Sequence, residues 1–512
     1  MNPAKPESPL WSPARILACS PYFNALMLGF YAWFFFLGPG VSVVRDLSDD
    51  GIRTPGIPRF AWTLHRDLTP RIAEWARARL GSSRAAELST RNISGTEWPL
   101  FGSVFYLWAT ESLQDAWEQD HSPGAPEPKV YSHEAITALT RLVVDPAQAN
   151  WVKIHWGANY LKTENVFYRM LLISALTSYT RLTGDQQYLP LLRDQTESLS
   201  SALDASATGL LDDYPGQCYP GDVLTAIAMI QKADKILGTD HTPFVSRAIR
   251  GFQAGALDSH GLVPYAAYAP SGEPLGPARG CGNSYVSLFA PLIWPEPARK
   301  WYDQYAKFYW QETWACAGFR EFPNDLSGNG WYFDVDSGPV LGGFGCAASA
   351  FGLGAARVNG HFEQAYPLTA EMLAAAWPLP NGTLLFPRLL SNAADAPYLG
   401  EAAILFNLTR MPVGGVSIHT GGSIPRFAVI ILFGQFGAGL ILLALSFWAI
   451  RQWRKNAANR LYCRPKLQVV VWAGLVAAFL ICLLAGQALV GILFLACVQF
   501  LPRYERKRKL AT

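Results

Sequence analysis

This chain lacks a strong excess of charge of either sign: 42 Lys and Arg stand against 39 Asp and Glu, a net charge of +3, and the segment from about Arg45 to Arg426 carries no run of like charge and no low-complexity linker. A chain so nearly neutral has no electrostatic footprint for nucleic acid, and no such partner is expected. Histidine is scarce, with eight residues in 512, and no two of the eight cysteines are spaced as CxxC, which removes the usual frames for a structural zinc. GxGxxG, P-loop, HExxH and GxSxG patterns are missing, so nucleotide-binding and ordinary serine-hydrolase readings lose support. No cofactor and no metal are expected.

Where charge is missing altogether, the chain reads as membrane-spanning. The run from Tyr22 to Val44 carries no ionisable charge, and about 20 apolar residues is what a bilayer core requires of a helix. Its aromatic richness and its end at Val43-Val44-Arg45 argue for an uncleaved anchor and against a signal peptide. A second span is expected from Phe427 to Ile450. Six basic residues follow (Arg451, Arg454, Lys455, Arg460, Arg464, Lys466), and short loops rich in Lys and Arg stay cytoplasmic. The stretch Leu467–Leu501 is too long for one ordinary helix, since about 35 residues at roughly 1.5 Å each exceed 50 Å. With a polar break at Gly486-Gln487 and a basic tail (Arg503, Arg506, Lys507, Arg508, Lys509), it reads as a hairpin of two short spans, one steeply tilted helix being the alternative.

These signs give an ordered plan. Residues 1–21 form a cytoplasmic N-terminus, 22–44 the first span, 45–426 a large extracytoplasmic domain and 427–450 the second span. A basic cytoplasmic loop at 451–466, the hairpin at 467–501 and a basic cytoplasmic tail at 502–512 complete it. The expectation is an integral protein of a bacterial inner membrane whose large domain faces the periplasm. The lipid bilayer is the expected partner, and an oligomer is compatible with the sequence. Four cysteines (Cys218, Cys281, Cys316, Cys346) fall in the external segment, where an oxidising compartment would permit two disulfides of unassigned pairing.

The external segment shows a helical repeat. Apolar residues at three and four spacing predict helices near Ile72–Leu80, Leu100–Trp117, His133–Val144, Glu164–Leu182, Leu191–Leu203, Val223–Leu237, Val245–Ala254, Ser284–Ile293, Ala298–Trp314, Gly338–Ala356, Glu363–Ala375 and Gly400–Leu408. Short polar or Pro-containing links such as Thr183-Gly184-Asp185 and Gly238-Thr239-Asp240 alternate with long loops. Alternation between the two ends of an antiparallel array puts all long loops on one face. Roughly six pairs is the number that closes an (α/α)6 toroid, so the fold class is mainly α, a toroid or barrel of helical hairpins plus about four transmembrane helices, with an open solenoid as the rival.

Trp156-Gly157, then Glu164-Asn165-Val-Phe-Tyr168, Leu182-Thr183-Gly184, Gln217-Cys218 after an acidic turn, Arg320-Glu321 and Asp334-Val-Asp336-Ser-Gly338 resemble, in that order, the linalool dehydratase/isomerase family. The likeness covers about Phe101 to Pro412. It implies an (α/α)6 barrel and cofactor-free dehydration or isomerisation of an alcohol by acidic, Tyr, His and Cys side chains. Cys218 matches the family's Cys after Gln, and Tyr106 its early Tyr. The family's catalytic His falls at Leu171, which transfers no proton, and its second Cys has no counterpart near Leu211-Asp212-Asp213.

Read for chemistry alone, the long loops gather the same candidates. Glu164 opens a helix, with Tyr168 four residues on and on the same face; an ordinary first-turn acid and a core Tyr are the bland reading. The loop from Asp212 to Asp222 offers Asp213 and Cys218 as acid or nucleophile and Tyr219 as a platform, with Asp222 read as an N-cap. In the segment Arg320 to Gly338, Asp334 and Asp336 point the same way if extended, and paired carboxylates drive their pKa values apart. Glu321 joins them as an acid, and Arg320, Trp331, Tyr332 and Trp156 as binding groups. His155 and His260 read as structural donors. Three functions stay open: an acid–base lyase or isomerase (a hydro-lyase) on an alcohol, a glycan-active hydrolase or lyase of the same fold, and a non-catalytic binding or assembly module.

Overall fold

Burial separates two kinds of helix in this mainly helical chain. The helix Val166–Thr183 is buried along nearly its whole circumference, from Val166 to Thr180, whereas Pro295–Tyr309 buries one stripe, Ala298, Trp301, Tyr302, Tyr305 and Tyr309. A helix apolar all round belongs inside others, and one with a single apolar stripe covers them. The computed structural model describes residues 22–23, 25–120, 126–253, 255–326, 330–456, 460–461, 465–484, 491, 494 and 504–505. The expected N-terminus (1–21), most of the tail (502–512) and most of the second half of the proposed hairpin lie outside the described residues.

The chain divides into two compact units, 42–431 and the pair of segments 1–41 and 432–512. In the larger unit the principal helices are α1 (Arg59–Leu80), α2 (Trp98–Asp120), α3 (His133–Val144), α4 (Val166–Thr183), α5 (Leu189–Ala205), α6 (Pro220–Leu237), α7 (Thr242–Ala248), α8 (Gly280–Ile293), α9 (Pro295–Tyr309), α10 (Cys346–Val358), α11 (Phe362–Ala376), α12 (Leu385–Ala393) and α13 (Leu399–Leu408). Their neighbours follow a cyclic order: α2 packs on α4, α4 on α6, α6 on α8, α8 on α10, α10 on α13, and α13 again on α2. The others back this inner set: α3 lies against α2 and α4, α1 against α3 and α13, α5 against α4 and α6, α9 against α8, α11 against α10 and α12 against α13.

Local chemistry sets the turns. Gly184 takes φ 72° and returns its N–H to Thr180 O, which stops α4 and sends the chain into α5. Between opposite inner helices the interior is filled by rings: Phe101 meets Tyr285 at 5.9 Å and Trp108 meets Phe289 at 5.1 Å, joining α2 to α8, while Phe406 stacks on Phe105 at 5.0 Å. At the C-terminal ends of the inner helices, Lys232 of α6 pairs with Glu111 of α2, Arg181 of α4 pairs with Asp115 of α2, and Arg410 donates to Trp108 O.

Ala267–Tyr268 (β1) and Glu273–Pro274 (β2) form a short antiparallel pair, and further along three predicted helix boundaries are corrected. The helix expected over 298–314 stops at Tyr309, and Trp310–Glu312 (β3) pairs antiparallel with Ala317–Phe319 (β4). The helix expected from Gly338 begins only at Cys346. Gly338–Leu341 (β6) instead pairs with Trp331–Asp334 (β5) and then with Phe344–Gly345 (β7), because Gly342 and Gly343, both at positive φ, turn the chain back on itself. The helix expected over 245–254 ends at Ala248 and tightens into a 3-10 turn to Phe252.

Among the described residues, two helices are long and apolar enough to cross a membrane, Ala25–Leu47 and Arg426–Trp448; about four were expected over the whole chain. The helix Pro465–Leu484 holds only a shorter apolar stretch, Val469–Cys482. In the smaller unit the Ser446 hydroxyl donates to Ala25 O at 2.7 Å, and Gly439 sits so close to Leu37 that a Cβ there would lie 2.6 Å from that side chain. Small residues at such crossings let helices approach closely in lipid.

Candidate functional site

The segments that lead into the inner helices bring their acids together. Glu97 stands immediately before α2, and its carbonyl accepts from Leu100 and Phe101 N–H at 3.0 Å. Asp213 to Tyr219 lead into α6, whose first turn holds Asp222. Tyr265, Arg279 and Cys281 belong to the entry of α8, and Glu321, Asp334 and Asp336 to the strands before α10. Three carboxyls of this set, Glu97, Asp222 and Asp336, repel one another's charge.

Glu97 is 7% exposed. Burial pushes its carboxyl up to about 8 and the charges of Asp336 and Asp222 add to this, against a hydrogen bond from the Tyr214 hydroxyl. Burial, then Asp336, likewise raises Asp222 to about 7. Asp213 is raised by burial and by Asp222, although its Oδ2 accepts from Tyr219 N–H at 2.6 Å; its Oδ1 is buried without a partner among the described residues. Asp336 is raised by burial and by Asp334, and accepts from the Tyr265 hydroxyl. A helix N-terminus favours a carboxylate, but here removal from water and mutual repulsion win. Asp222 and Asp336 nonetheless keep accessible surface.

A second cluster, gathered on Arg279, adjoins them. The Arg279 Nε–H donates to Glu321 Oε1 at 2.7 Å, its Nη2 stands 2.8 Å from Asp334 Oδ2, and its guanidinium lies 4.3 Å over the Tyr265 ring. Burial works against the Arg279 charge, and the anionic groups around it overcome this. Asp334 shows the opposite balance from its neighbours. Burial would raise its carboxyl, but Ser337 donates to Oδ1 from both N–H (2.7 Å) and hydroxyl (2.8 Å), and with Arg279 and Tyr332 this holds it below the usual range. Glu321, fully buried, also accepts from Cys281 N–H and Sγ–H at 3.1 Å; burial dominates and raises its pKa.

The predicted residues divide accordingly. Asp213, Tyr219, Glu321, Asp334 and Asp336 join the two clusters. Asp334 and Asp336 do not alternate along an extended strand: Asp334 pairs with Gly338 across the hairpin and Asp336 occupies its turn. Asp222 is not an N-cap, since Tyr219 holds that position. Cys218 lies beside the acids, fully buried and unpaired, its thiol pushed up by burial and by Asp213. Among the described residues Cys281, Cys316 and Cys346 are likewise free thiols. Glu164 accepts Asp212 N–H at 2.6 Å and Trp156 donates to Asp213 O at 3.3 Å, so both hold the acidic loop in place.

Four predicted residues are turned elsewhere. Tyr168 donates to Val143 O at 2.9 Å and belongs to the contact of α4 with α3. Tyr106, fully buried, bonds Thr69 at 2.6 Å and stacks on His65, between α2 and α1. Arg320 donates to Phe322 O and Gln311 inside the strands, and Arg279 takes the place foreseen for it. Trp331 projects outward, 77% exposed, whereas Tyr332 lies 5.6 Å from Arg279. His155 is exposed beside Tyr214, and His260 is held by Asp258 and Asp325. Glu97, Arg279 and Cys281 were missed. A usable signal existed: each stands at or beside the first residue of an inner, all-round apolar helix.

The class defined by this architecture is a mainly helical chain carrying two apolar helices of membrane-spanning length and an acid-rich site. No family model matches the chain, and no curated protein matches it in sequence.

Proposed function

We propose that the larger unit is an (α/α)6 toroid resembling linalool dehydratase/isomerase, held to a membrane with its acidic face on the extracytoplasmic side, and that it breaks a C–O bond by acid–base catalysis. The cyclic neighbour order of α2, α4, α6, α8, α10 and α13 supports the toroid. The coexistence of carboxyls held protonated near neutrality (Glu97, Asp222) with further acids on one wall carries the chemistry. In this reading Glu97 or Asp222 gives its proton to a substrate hydroxyl, the C–O bond breaks and water departs, and Asp336, oriented by Tyr265, takes the proton from the adjacent carbon. One proton is given and one taken, so an alkene and water are the products. Leu171, buried in α4, takes no part.

A glycan is the second reading, favoured by the rings Tyr214, Tyr219 and Tyr265, packed edge-to-face with centroids 6.4 and 5.3 Å apart and each partly exposed, aromatic groups of the kind that meet sugar rings. The test is turnover by the full chain of tertiary allylic alcohols and of aryl glycosides between pH 5 and 9, with Asp336→Asn alongside. Alkene from the alcohols supports the first reading and released sugar the second. Binding of either without turnover refutes both and leaves a binding module.

A further inference from the structure

The hairpin that carries Asp334 and Asp336 has two unlike faces. Val340 is buried, and its cross-strand partner Tyr332, 40% exposed, lies on the same face and meets Phe322 at 5.2 Å. On the other face Trp331 pairs with Leu341, and Phe333 with Pro339. Trp331 is 77%, Phe333 72% and Leu341 51% exposed. Contiguous apolar surface of this kind on a soluble face marks an interaction site.

The same strands lead to the head of an apolar span. Arg320, just past β4, bridges to Phe344 in β7, and Gln311 of β3 donates to Gly342 O at 3.3 Å, so β3–β4 and the site hairpin are joined. The turn between β3 and β4 holds Trp314, 72% exposed, and its neighbour Ala315 accepts the N–H of Phe427 at 2.9 Å. Phe427 is the second residue of the span Arg426–Trp448 and belongs to the same compact unit as the strands. If that helix enters a bilayer, Trp314 stands at the level of its entry, where amphipathic indoles concentrate. Glu321 follows seven residues later, at most about 23 Å away at roughly 3.3 Å per residue.

We propose that Trp314 and the outer face of the β5–β6 hairpin (Trp331, Phe333, Leu341) lie in the headgroup region of the bilayer. The carboxyl site then opens beside lipid and takes a hydroxylated amphiphile whose apolar tail stays in the membrane. The chemistry of that substrate rests on the acid–base reading, and the contact with lipid does not. The test is photocrosslinking of the full chain in phosphatidylcholine nanodiscs, with benzoylphenylalanine placed singly at Trp314, Phe333, Phe447 within the span, and Glu296 on exposed α9.

Lipid adducts at 314, 333 and 447 but not at 296 are expected. Adducts at 447 alone overturn the proposal while leaving the span intact, and their absence at 447 removes the span and the proposal together. Crosslinks from 333 to a second copy of the chain overturn it in favour of a protein interface. In the same discs, a long-chain alcohol bearing a diazirine should label residues 330–345; lipid adducts without this labelling refute the amphiphilic substrate. No readout requires turnover, so failure of the catalytic reading is seen separately.

Discussion

Glu97→Gln isolates the electrostatic argument without needing a substrate. The amide is close in shape to the protonated acid and still accepts the Tyr214 hydroxyl. An ordinary glutamate ionises near 4.5, whereas burial and then Asp336 and Asp222 raise this one to about 8. Between those values the folded protein binds a proton that the unfolded chain has released, so stability falls as pH rises from about 4.5 to 8 and is level beyond. At about 1.4 kcal/mol per pH unit the loss reaches roughly 3–6 kcal/mol by pH 8. The group is 7% exposed, so solvent screening removes little of this. The unit spans 42–431. At about 2.1 cal/mol/K per residue its unfolding entropy is near 0.8 kcal/mol/K, so each kcal/mol moves Tm by about 1.2 °C. The variant should therefore match wild type at pH 4.5 and melt roughly 4–7 °C higher at pH 8.5, read by scanning calorimetry of the full chain in detergent. An equal difference at both pH values would refute the reasoning, because an ordinary ionised Glu97 contributes no such slope.

Other perturbations test the neighbouring parts. Asp334→Asn removes a carboxylate that ties Ser337, Tyr332 and Arg279 together, and should cost about 1–3 kcal/mol at pH 7 in urea unfolding. Because its pKa is depressed, that difference should shrink as pH falls through the carboxylate range. Gly280→Ala would drive a Cβ to 1.9 Å from Arg320 O, and should lower Tm and expose Cys281 to alkylation, read by mass spectrometry. In native wild type, iodoacetamide at pH 7.5 should label Cys346 before the buried Cys218 and Cys281. Lys232→Met strands the buried Glu111 carboxylate and should destabilise by roughly 3–5 kcal/mol; adding Glu111→Gln should restore most of this in calorimetry.

Helix existence was legible because inner and outer helices keep apolar spacing, and His133–Val144 needed no adjustment. The segments around β3 to β7 were not legible. Their apolar content fits a helix as well as a hairpin, and only the Gly342-Gly343 reversal and the cross-strand pairs decide it. In the site, loop position identified Asp213, Glu321, Asp334 and Asp336. Glu97 was passed over because its significance comes from Asp222 and Asp336, more than 100 residues away in sequence. Arg279 and Arg320 look alike in sequence. Only packing shows that Gly280 lets the Arg320 carbonyl approach while Arg279 takes the acids.

The contact of α13 with α2 joins residues about 300 positions apart. Until Leu399–Leu408 has been synthesised, α2 and α10 each lack a neighbour, so the contacts of α13 with both form late in the life of the nascent chain and carry the loop entropy of a long sequence separation. Arg426 follows Leu408 by only 18 residues. A ribosome stalled before residue 399 would hold a chain in which α2 and α10 lack that neighbour, whereas one stalled far enough beyond 408 for α13 to have left the exit tunnel would hold the packed helix set, and limited proteolysis of such stalled chains would show the transition between them.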